Sequence, residues 1–149
     1  MNHRAALVTA LLLAAATAHA RVGETEKEIA ARYGIGKKAQ SQRLAGAETL
    51  EYRKDDTYVE VVLYGGKSVL EIYAPKNGTT DDFIKDLLKL NSKAGATWRF
   101  DRKANRWERR GTPKLVAFRW PGHPDFFSIK DLKACEAAEE LNKPSAGGL

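Results

Sequence analysis

Two β-rich runs, TYVEVVLY (57–64) and KSVLEIYA (67–74), flank the pair Gly65-Gly66, and no other feature of the chain narrows its fold as much. A two-residue hairpin turn that matches the twist of its strands needs positive φ at its central residues, which glycine adopts without steric cost. The pattern predicts an antiparallel hairpin. A third strand, ETLEYR (48–53), precedes it through the turn Lys54-Asp55-Asp56, giving a meander. Counted outward from the glycine pair, Glu60 stands directly opposite Glu71. Val59, Val61 and Leu63 then share a face with Leu70 and Ile72, the expected floor of the core.

Such a sheet needs helices to cover it, and two segments have the required signals. In GETEKEIAARYG (23–34), Thr25 and Glu28 form a capping box, Gly34 suits a left-handed stop, and Ile29 and Tyr33 fall on one stripe. In TDDFIKDLLKLN (80–91), Thr79 or Thr80 caps, Asp81 and Asp82 sit at the positive end of the helix dipole, and Phe83, Ile84, Leu87, Leu88 and Asn91 make the apolar side. The segments echo each other: Gly23 with Gly78, Thr25 with Thr80, Ile29 with Ile84, Tyr33 with Leu88. The echo suggests a duplicated helix-plus-meander unit. Between them GIGKKAQSQRLAG (34–46) has no period and reads as a loop. A third helix is predicted over SIKDLKACEAAEELNK (128–143), with Ser128 and Asp131 as a capping box and Ile129, Leu132, Cys135 and Leu141 on one side.

WRFDRKANRWERRG (98–111) holds six basic residues among three aromatics. Read as two strands joined around Lys103-Ala104-Asn105, alternation puts Trp98, Phe100 and Trp107 inside and Arg99, Asp101, Arg106, Glu108 and Arg110 outside. KLVAFRW (114–120) continues the meander with Val116, Phe118 and Trp120 on one side. From Arg99 to Arg119 eight basic residues stand against two acidic ones, so the basicity of the chain is local. Arg99, Arg102, Arg106, Arg110 and Arg119 are the candidate binding residues of a basic sheet face. Single-stranded nucleic acid is not the expected partner, because the inward aromatics leave no rings for base stacking.

The N-terminus reads as a cleavable signal peptide: a basic leader (MNHR), a short apolar run and the small-x-small sequence AHA, with cleavage after Ala20. No cysteine follows the run, so lipid attachment is not expected. The mature chain from Arg21 is expected to be soluble, monomeric and without an integral membrane segment, localised to the periplasm or secreted. It would form one domain over 21–143 and a flexible tail over 144–149. Its 129 residues keep 24 of the 25 basic side chains, all 19 acidic ones, and His123 alone of the three histidines. With Cys135 as the sole cysteine, no intramolecular disulfide can form, and an apolar helix face makes it a small buried hydrophobe.

Catalytic motifs are scarce. One histidine and one cysteine cannot furnish a zinc site, and GIGKK lacks the upstream glycine and terminal hydroxyl of a phosphate loop. Two pairs could support a small secreted hydrolase: Glu60 with Glu71, whose opposed carboxyls would repel and raise one pKa unless a cation such as Arg53 or Lys67 intervenes, and His123 with Asp125 in WPGHPDFF. No cleft residues can be named around the first pair, and His123 between Gly122 and Pro124 reads as a turn histidine, so no catalytic, cofactor-binding or metal-binding residue is expected, and no cofactor.

Gly23-x-Thr25-x-x-Glu28-Ile29-x-x-x-Tyr33-Gly34 followed by an antiparallel meander resembles the opening of small periplasmic domains related to the outer-membrane barrel-assembly lipoprotein and to β-lactamase-inhibitor protein. The chain departs from them in lacking a lipidation cysteine and in carrying Ile35-Gly36 where a proline is expected. The resemblance implies helices on an antiparallel sheet and a non-enzymatic binding role. The sequence thus predicts an α+β fold of short helices packed on an antiparallel meander, with a C-terminal helix. It predicts an exported, non-catalytic interaction module whose partner is an unidentified protein or an anionic envelope component.

Overall fold

The computed structural model describes residues 21–92 and 96–141; the leader over 1–20 and the tail over 144–149 lie outside them. Helix α1 (Glu26–Tyr33) is followed by strands β1 (Lys37–Lys38), β2 (Glu48–Lys54), β3 (Thr57–Tyr64) and β4 (Lys67–Pro75). Helix α2 (Asp81–Leu90) is followed by β5 (Trp98–Asp101), β6 (Arg106–Arg109), β7 (Leu115–Trp120) and β8 (His123–Asp131), and α3 (Leu132–Glu140) closes the described chain. All eight strands form one antiparallel sheet in the order β1-β2-β3-β4-β8-β7-β6-β5. The fold is α+β.

The order is symmetric about the β4–β8 seam: each half is a helix and a four-stranded meander, and the halves meet antiparallel through their last strands. The sequence echo has a structural counterpart. Gly23 and Gly78 both have positive φ (99° and 77°). Two residues on, Thr25 and Thr80 both stand in extended backbone and accept a hydrogen bond from the third helical residue, Glu28 or Phe83. Ile29 of α1 and Ile84, Leu87 and Leu88 of α2 enter one apolar cluster on the same side of the sheet, with Val59, Val61, Tyr73, Phe127 and Ile129 beneath. Ile29 is the one buried residue of α1. Burying such a side chain contributes about 2 kcal/mol, which makes it the anchor of that helix.

Gly65 and Gly66, with φ of 60° and 77°, make the turn that the sequence requires. The register beyond the turn departs from simple counting. Tyr64 pairs with Lys67 and Leu63 with Ser68, but Val62 pairs with Leu70, so Val69 is an extra residue in β4, a β-bulge. From Leu70 onward β4 is shifted by one. Val59, Val61 and Leu63 therefore share their face with Tyr73, while Leu70 and Ile72 join Val62, Val69, Ala47 and Cys135 on the other. The expected common face of Val59, Val61, Leu63, Leu70 and Ile72 is corrected by that single residue.

The C-terminal helix is also shorter than its expected span. Residues 128–131 end strand β8, which places Phe127 and Ile129 on the α1/α2 side and Ser128 on the other. Asp131 caps α3 by accepting from the Ala134 N–H at 3.0 Å. Cys135 and Ala138 are the buried residues of α3, and Leu141 is 75% exposed rather than docked. Lys37–Lys38, inside the expected loop, adds a two-residue edge strand on β2.

Candidate functional site

The bulge decides the fate of the two paired carboxylates. Glu60 faces Ile72 and Glu71 faces Val61, so the two point to opposite sides of the sheet and share no cleft. Glu60 is held by Arg43, whose Nε and Nη2 donate at 2.5 and 2.8 Å, and by the Tyr58 hydroxyl at 3.0 Å. The Arg43 hydrogen bonds hold its carboxyl below the usual value. Glu71 has no solvent exposure. Tyr73 Oη donates to its Oε2 at 2.6 Å, and Ser68 Oγ lies 3.2 Å from Oε1. Burial raises its pKa to about 7, against the pull of those hydroxyls. Among the described residues neither Arg53 nor Lys67 forms a salt bridge with either group. His123 and Asp125 are both exposed and make no hydrogen bond to each other among the described residues; His123 lies edge-on to Phe126. Cys135 is buried with its thiol pushed up to about 11, and Sγ donates to Val69 O at 3.5 Å. Among the described residues no three His, Cys, Asp or Glu side chains converge as a metal site.

The basic stretch separates into groups with different surroundings. Arg119 shares a face with Leu115 and Ala117, opposite Arg99 and Arg106; it lies over the Trp107 ring and pairs with Asp81 at 2.8 Å. It is not part of the expected basic face, because odd-numbered residues of β7 point toward the α1/α2 side. Arg106 lies on the expected face but is neutralised by Glu108 at 2.5 Å, which Lys114 also approaches at 3.6 Å. Arg99, Arg102 and Arg110 remain. With Lys103, Phe100, Asp101 and Glu108 they line a shallow recess of about 520 Å³, and none of the four cations has a salt-bridge partner among the described residues.

Phe100 packs against Trp107 at a tilt of 54°, with ring centroids 4.7 Å apart, yet it is 43% exposed. Its face was assigned correctly and its depth was not: β5 is the edge strand, so a side chain on the inner face still meets solvent. Trp107 is half-buried and packs edge-on against Phe127. Trp98 donates from Nε1 to Leu88 O at 2.7 Å, which ties β5 to α2.

Arg109 escaped the sequence reading although the signal was present, since it lies two residues after Trp107 and must point the same way. It is 3% exposed. Nη1 donates to Asn91 O at 2.5 Å and Nη2 to Pro113 O at 2.9 Å, while Nε is buried without a partner. Burial lowers its pKa. Among the described residues no helix is long and apolar enough to cross a membrane. No family model, curated protein or solved structure matches this chain.

Proposed function

We propose that the protein is an exported, non-catalytic binding module that engages an anionic polymer or envelope surface through the β5–β6 end of its sheet. The observation that carries the reading is the recess in which four cations, Arg99, Arg102, Lys103 and Arg110, stand free of ion pairs beside Asp101 and Glu108, the second of which is already paired with Arg106. Unpaired cations at a sheet edge attract polyanions, and releasing counterions on contact makes that attraction steeply salt-dependent. One exposed ring is a poor platform for a run of stacked bases, which favours a polysaccharide or lipid headgroup surface over single-stranded nucleic acid. Export rests on the tripartite leader. Mass spectrometry of protein from the native host should then find Arg21 at the N-terminus, and an intact Met1 in a cytosolic pool would overturn it.

The binding test compares retention on immobilised heparin and on lipopolysaccharide vesicles. Changing both Arg102 and Arg110 to Ser should lower the salt concentration needed for elution, whereas Arg119→Ser, on the other face and already paired, should not. Equal elution of wild type and the double variant, or wild-type flow-through at low salt, would reduce the cluster to a solvated edge.

A further inference from the structure

A second recess, of about 410 Å³, opens where the two halves of the chain meet. Its walls include Arg21, Glu24 and Lys67 from the first half and Asn91, Arg109 and Asp131 from the second. Of the two acidic side chains, Glu24 is neutralised by an ion pair with Arg32 and accepts from the Arg21 N–H at 3.2 Å, whereas Asp131 is occupied as the cap of α3 and keeps its charge. The Asn91 amide is occupied too, its Oδ1 accepting from the Val22 N–H at 3.0 Å and its Nδ2 donating to Leu87 O at 3.1 Å.

The cations are in the opposite condition. Among the described residues neither Arg21, Lys67 nor Arg109 has a carboxylate within salt-bridge distance. Arg21 and Lys67 are exposed, so water screens them. Arg109 is enclosed, its hydrogen-bond partners are two neutral carbonyls, and Asp131 attracts it only from beyond salt-bridge distance, so its charge is compensated in part. A buried charge without a salt-bridge partner is costly, and two further cations beyond salt-bridge distance of any described carboxylate border the same space.

We infer that this recess binds a small oxyanion, of the carboxylate or phosphate kind, held between Lys67, Arg21 and the buried Arg109. The volume suits a small molecule and excludes a folded partner. The enclosed Nε of Arg109 need not be touched, because the anion compensates the guanidinium through its charge. Since the walls come from both halves, occupancy also clamps them together and raises stability in proportion to the logarithm of ligand concentration.

The experiment titrates the purified protein at low ionic strength with inorganic phosphate and, separately, with succinate, following backbone amide shifts. Saturable shifts at Gly23, Lys67, Asn91 and Ser92 with either anion are the expected result, and the anion that saturates identifies the headgroup type. Lys67→Ala, at an exposed position, should weaken the affinity by about tenfold, as loss of one charge-assisted contact does, without moving the unfolding midpoint. Changing Arg102 and Arg110 should leave this binding intact, so its outcome is independent of the polymer reading. Shifts that fail to saturate with both anions, that Lys67→Ala leaves unchanged, or that are confined to residues 99–103 would overturn the inference.

Discussion

Glu71→Gln is expected to stabilise the protein at neutral pH and to do so less and less as the solution is acidified. In the folded state the carboxyl is fully buried with a pKa of about 7, against an ordinary value of 4.5, and desolvation is the main cause. Below pH 4.5 folded and unfolded chains both hold the proton, and the group has no effect on stability. Between 4.5 and 7 the unfolded chain releases it while the folded chain keeps it, so stability falls as pH rises. Above 7 the loss is complete, at about 3 kcal/mol by linkage. Glutamine is isosteric with the protonated acid: its amide N–H can donate to Ser68 Oγ while its carbonyl accepts from Tyr73 Oη. Urea unfolding of both proteins at steps from pH 4 to 8 reads the difference directly. The two should agree within about 1 kcal/mol at pH 4 and diverge to roughly 3 at pH 8. Glu28, Glu60 and Glu108, whose folded pKa values are lowered, bend both curves the other way at acid pH and cancel in the comparison. A difference independent of pH, or a wild type that is the more stable at pH 8, would refute the assignment of a buried, predominantly neutral carboxyl below pH 7.

Trp107→Ala should cost about 2–4 kcal/mol in equilibrium unfolding, the lower part of the large-to-small range because the ring is half-buried, while Phe100→Ala should cost about 1 or less. Cys135→Ala should destabilise by about 1 kcal/mol, and the native thiol should resist a small alkylator at pH 8, since burial raises its pKa to about 11; rapid labelling would contradict that placement. Ile29→Ala should lower the denaturation midpoint and preferentially expose the amides of α1 to hydrogen exchange, because no other residue of that helix is buried.

Where local chemistry and global packing agree, the sequence could be read directly. The Thr25 and Thr80 caps, the Gly65-Gly66 turn and the alternation through Trp98 and Trp107 all reappear in place. Val69 could not be read, because a hairpin register counted from its turn assumes one residue opposite one, and the bulge leaves no mark in hydrophobic alternation within a continuously apolar run. That single residue removed the Glu60/Glu71 pair from consideration and hid the buried Glu71 in its place. Residues 128–131 misled for a related reason. Ser128 and Asp131 are spaced as a capping box, but Phe127 and Ile129 alternate with Ser128 and Lys130 as a strand, and four residues fit either period. At the basic stretch, composition marked the cluster, whereas partners decided it: Glu108 and Asp81 took Arg106 and Arg119 out of the free set, the first a same-face neighbour two residues along the strand, the second a contact with α2 that spacing along the chain does not announce.

The β4–β8 seam means that neither half is complete alone. Cut between β4 and α2, each piece would keep its local hairpins but lose the cover on its last strand, leaving a row of unsatisfied amides and carbonyls beside an apolar face. Such an edge is a template. Because β4 and β8 meet antiparallel, about an axis that exchanges helix for helix and meander for meander, a freed half could complete the same sheet with a second copy of itself. The fused chain forecloses that self-assembly by supplying the complementary strand at a fixed, high local concentration, so the linker over residues 76–79 does for this sheet what an oligomer interface would otherwise have to do.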